Sequence, residues 1–76
     1  MIVRLIERDK EYLAQLFEER LYNLGDLYLN GKININEILV EFLLILELSN
    51  KLGIPFKRIH EGVKYLGSCI EKKGVR

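Results

Sequence analysis

Glu37 and Glu41 stand four residues apart, so on a helix they lie one above the other on the same side. Glu18 and Glu19 belong to an earlier helical stretch that could run antiparallel beside them. Four carboxylates on adjacent helices could hold magnesium, because hard cations take oxygen ligands. The competing reading of the same residues is a solvated or salt-bridged acidic edge. A second set, Lys57, Arg58, His60, Lys64 and Tyr65, shares the outer side of a later segment and could meet phosphates or base edges. A helix with a basic solvent side is also common in proteins that never touch nucleic acid. The single histidine, His60, has no ligand neighbour in sequence, and the single cysteine, Cys69, reads as a small apolar packing residue beside Ile70. No nucleophile–base pair, zinc set or glycine-rich phosphate loop can be assembled. The expectation is a non-enzyme without a cofactor.

These side chains need helices to position them. Leu, Ile, Glu and Lys dominate, threonine and tryptophan are absent, and sustained two-residue alternation is confined to Ile2–Ile6. In the first segment Leu5, Tyr12, Leu13, Leu16, Phe17, Leu21, Leu24, Leu27 and Tyr28 share one broad face, opposite Glu7, Arg8, Glu11, Gln15, Glu18 and Tyr22. Gly25 is expected to end or bend this helix, and Asn30-Gly31 signals a turn. Asn34 with Glu37 makes a capping pair for a helix over 36–52, which Gly53 ends in a left-handed cap. Pro55 then opens a third helix, expected over 55–66, with a seam of Phe56, Ile59, Val63 and Leu66. Gly67 reads as its cap, and Ser68 with Glu71 starts a short final turn or two.

The central segment carries the most information about assembly. Ile38, Leu39, Val40, Phe42, Leu43, Leu44, Ile45, Leu46 and Leu48 spread around the whole helix, and such a helix must be enclosed. A chain of 76 residues has few others to spare for that. The expected fold is therefore all-α, a single domain over 1–76 that forms a small bundle of three main helices completed by dimerisation. Val40, Leu44 and Leu48 are the expected interface, in a homo-oligomer or against a protein partner.

Composition and charge narrow the classes further. The chain is 49% hydrophobic and 30% charged with one proline, which argues against disorder. A lone cysteine cannot form an intrachain disulfide and suits a reducing compartment. Residues 1–50 hold five basic against nine acidic side chains and residues 51–76 seven against two, so a net charge of +1 hides a basic C-terminal third. Arg4 leaves no cleavable apolar core at the N-terminus, and Glu41 and Glu47 interrupt a segment short of the about 20 apolar residues of a membrane span. A soluble, cytoplasmic protein with no membrane partner is expected.

Two family resemblances attach to these residues. The stretch EERLYNLGDLYLNGKININEILVEFLLILELSNKLGI, residues 18–54, resembles the MazG-type all-α nucleoside triphosphate pyrophosphohydrolases, which carry an EExxE segment and then an ExxD segment. Glu18, Glu19 and Glu37 match acidic positions, whereas Tyr22 and Val40 stand where the family has carboxylates. The resemblance implies a dimeric helical bundle that binds nucleotide and magnesium. The two losses leave too little negative charge to hold the metal with a triphosphate. The stretch LSNKLGIPFKRIHEGVKYL, residues 48–66, resembles the helix-turn-helix of small DNA-binding repressors. It implies Ser49 at the helix contact, Gly53 in the turn, and Lys57, Arg58, His60, Lys64 and Tyr65 toward a major groove. Glu61 would sit amid that reading surface, and the helix before the turn is long for the motif.

Overall fold

The computed structural model describes residues 7–74. It is all-helical: α1 spans Glu7–Leu29, α2 spans Ile35–Leu52, and α3 spans His60–Gly74, with a one-turn 3-10 helix at Phe56–Arg58 before α3. No strand occurs among the described residues.

Local chemistry accounts for the helix ends. Asn34 has extended backbone, and its Oδ1 accepts a hydrogen bond from the Glu37 N–H at 2.9 Å, which satisfies one of the orphan donors of α2. Gly31 and Gly53 take φ of 72° and 73°, which a side chain would disfavour. At the end of α2 the Ile54 N–H reaches the Ser49 carbonyl at 2.8 Å and the Gly53 N–H reaches that of Asn50 at 3.2 Å. The Lys32 and Gly31 N–H groups repeat this pattern on Leu27 and Tyr28, so both turns follow the same reversed-bond cap.

Three boundaries differ from the sequence expectation. The third helix begins at His60, because Pro55 has extended backbone (ψ 144°) and leads into the 3-10 turn. Gly67 lies inside α3, which runs unbroken to Gly74 without a separate fourth element. Gly25 does not end α1, which continues to Leu29; it is buried against Tyr65 and Cys69 of α3.

The helices run up, down, up. Arg20 meets Glu41, and Lys10 lies by Gly53, so α2 is antiparallel to α1. Arg58 meets Glu11, Gly62 meets Glu18 and Lys73 meets Tyr28, so α3 is parallel to α1. Helices α1 and α3 form the tightest pair. A Cβ on Gly25 would stand 2.9 Å from Cys69 Sγ and from the Tyr65 ring, and one on Gly62 would stand 3.1 Å from Leu21 Cβ. The missing side chains let the two backbones approach. The core is Ala14, Leu21 and Leu24 of α1, Ile38 and Ile45 of α2, Ile54, and Ile59 with Leu66 beside and on α3.

Candidate association surface

Of the carboxylates singled out above, two have other work. The Arg20 guanidinium donates to both oxygens of Glu41 at 2.8 Å, a two-pronged pair that ties α2 to α1. Glu18 Oε2 accepts from the Gly62 N–H at 3.1 Å. That N–H lies in the first turn of α3, whose preceding residue, Ile59, has no polar side chain to cap it. Glu18 thus caps α3 from another helix, with its charge on the favourable end of the dipole. Glu19 and Glu37 face solvent. Among the described residues no three Asp, Glu, His or Cys side chains gather as metal ligands would.

The basic set divides as well. Arg58 donates to Glu11 at 2.7 Å and lies 3.9 Å from Glu7, which raises its already high pKa chiefly through the Glu11 bond. The Tyr65 hydroxyl donates to Asp26, and its ring meets Tyr22 edge-on with centroids 5.1 Å apart. Arg58 thus holds the 3-10 turn to α1, and Tyr65 holds α3 to it. His60 is exposed with its ring 5.6 Å from that of Phe56. Lys57 and Lys64 are exposed and make no ion pair among the described residues, with Glu61 exposed between them. Helix α2 runs opposite to α1, and α3 runs along α1. Of the expected reading surface, Lys57, His60 and Lys64 remain outward.

The outer side of α2 is the most unusual feature. Val40 is 67% exposed, Leu43 62% and Leu44 53%, with Leu39 and Leu48 also exposed. Only Ile38, Ile45 and Ser49 of this helix are buried, and Phe42, Leu46 and Leu52 are half-buried. Among the described residues, one side of this most apolar helix is covered and the other lies in water. All three residues expected at an interface, Val40, Leu44 and Leu48, lie on the bare side. Leu39 and Leu43 extend it toward a small apolar groove of about 150 Å³ between α2 and α3, lined by Ile38, Phe42, Val63, Leu66, Gly67 and Ile70. No described helix is long and apolar enough to cross a membrane.

Sequence reasoning placed some apolar residues on the wrong side. Phe56, expected in the seam of α3, is 50% exposed, because the 3-10 turn rotates it away from Ile59 and Leu66. Tyr12 and Leu16, expected on the buried face of α1, are exposed. Glu18, read only as a metal ligand or edge charge, is the cap that sequence missed. Its one signal was an α3 start with no polar residue before it.

Comparison of the chain with family models, with curated proteins and with solved structures finds no match.

Proposed function

We propose that the protein is a non-catalytic helical association module, a small accessory subunit or regulator that works by docking the outer side of α2 against another protein surface. The observation that carries this reading is the run of Leu39, Val40, Leu43, Leu44 and Leu48 exposed along one helix. Taking a large apolar side chain fully out of water yields about 1.5–3 kcal/mol, so five on one surface supply a strong drive to associate. Contiguous apolar patches of this kind mark interaction sites. Charged groups border the apolar strip, with Glu37 at one end, the Glu47–Lys51 pair at the other and Arg20–Glu41 along one flank. Interfaces commonly pair an apolar centre with such a polar rim.

Sedimentation velocity over a wide concentration range tests the reading, beside a Val40→Ser, Leu44→Ser, Leu48→Ser variant. The expected result is a heavier species, alone or with a captured protein, that the variant loses while staying helical. A chain that stays monomeric at every concentration and captures nothing through this side defeats the proposal.

A further inference from the structure

We infer that the surface docked on α2 is the α2 of a second copy of this chain, antiparallel about a two-fold axis at Leu44, with Glu37 of each copy paired to the partner's Lys51. The inference rests on the association reading above and names its partner.

Glu37, Val40, Leu44, Leu48 and Lys51 follow one another at steps of three, four, four and three. At 100° per residue all five lie within about 40° of the direction of Leu44, so they form one ridge. All five are exposed. The ridge is symmetric about Leu44: four residues away on either side stand Val40 and Leu48, and seven away stand an acid and a base. Reversing the helix therefore lays the ridge on itself with its charges exchanged.

In an antiparallel pair Leu44 meets the partner's Leu44. Val40 lies at the height of the partner's Leu48. Glu37 lies at the height of the partner's Lys51, about 10.5 Å from the centre at 1.5 Å per residue. The contact is self-complementary, as a two-fold interface requires. A parallel pairing in register would set Glu37 against Glu37 and Lys51 against Lys51. Opposed helix dipoles favour the antiparallel arrangement too.

The charged ends are available. The Glu37 carboxylate makes no ion pair among the described residues. Among the described residues the Lys51 ammonium pairs only with Glu47, at 3.2 Å and exposed on both sides, and such a surface pair yields readily to a better partner. Of the two acids flanking the ridge, Glu41 is already paired with Arg20, and Glu47 holds Lys51 through the exposed pair alone.

The test is sedimentation equilibrium at low salt on the full chain and on Glu37→Lys, Lys51→Glu and the double exchange, with helix content and melting recorded for each. Each single change removes two cross-copy pairs and is expected to raise the dimer Kd roughly 2- to 30-fold. The double exchange is expected to recover the original Kd within about twofold. Both exchanges oppose the dipole of their own helix, so recovery cannot come from a more stable helix. A Leu44→Cys, Cys69→Ala variant, which does not depend on the charges, is expected to oxidise to a covalent dimer.

A dimer that ignores the single changes, or tightens on them, overturns the antiparallel register while the association reading stands. The same holds for a Leu44→Cys chain that fails to cross-link while dimeric. A chain that stays monomeric yet binds a different protein through Val40, Leu44 and Leu48 overturns self-pairing alone. A monomer that binds nothing overturns both.

Discussion

Tyr65 shows how a side chain that reads as a binding group becomes a brace. Its hydroxyl donates to Asp26 on α1, and Asp26 is 39 residues away in sequence. Losing the proton would break that bond and set two negative charges together, so the phenol pKa is pushed well above its usual value. The bond to Asp26 is the main cause, with Cys69 and burial adding. A pKa raised on folding contributes stability that is complete below the unfolded value, about 10 for tyrosine, and is lost as pH climbs from there toward the folded value. The melting temperature should therefore fall as pH rises above about 10. Tyr65→Phe should melt lower at neutral pH and show a smaller alkaline decline. A tyrosinate absorbance titration should show one late-ionising tyrosine in the native chain that the variant lacks; no late step would refute the brace. Arg58 and Glu18 were equally opaque before the fold was known. Their partners lie 47 and 44 residues away, so nothing local distinguishes a phosphate contact or a metal ligand from a tie between helices.

At the scale of elements, what the sequence revealed was whatever short-range chemistry determines. Asn34 caps α2 and Gly53 closes it where expected, because both act within a few residues of themselves. Glycine elsewhere is ambiguous, since the same residue serves a helix end or a close approach. Gly25 is the second kind, and Gly67 is neither, for it lies mid-helix with nothing within 4 Å of where its Cβ would be. Opposite outcomes follow. Gly67→Ala should stabilise the monomer by about 0.5–1 kcal/mol, the usual gain inside a helix. Gly25→Ala should destabilise it by about 1–3 kcal/mol, since its Cβ would stand 2.9 Å from Cys69 Sγ and from Tyr65, side chains held by burial and by Asp26. Urea unfolding of the two variants checks both signs, and a stabilised Gly25→Ala would show that α3 can retreat.

For the molecule as a whole, the apolar run of α2 announced more hydrophobic surface than three helices can cover, and the fold leaves Val40, Leu43 and Leu44 in water. The expected interface residues Val40, Leu44 and Leu48 do lie on the bare side, but its extension to Leu39 and Leu43 was not readable, because a helix apolar all round has no phase in its pattern. The ion pairs that orient it, Arg20 with Glu41 above all, depend on a neighbour that the pattern does not name. If association covers the bare side, the melting temperature should rise with protein concentration. That dependence should disappear in the Val40→Ser, Leu44→Ser, Leu48→Ser variant, and a native melt independent of concentration would count against any dimer. The tight pairing of α1 with α3 also bears on how the chain is born. A growing polypeptide completes its greasiest helix while the helix that α1 grips hardest is still unmade. Until α3 emerges, the core residues of α1 and α2 lack Leu66 and its neighbours as cover, so the nascent chain exposes extra apolar surface for that interval, while the outer side of α2 stays bare after it.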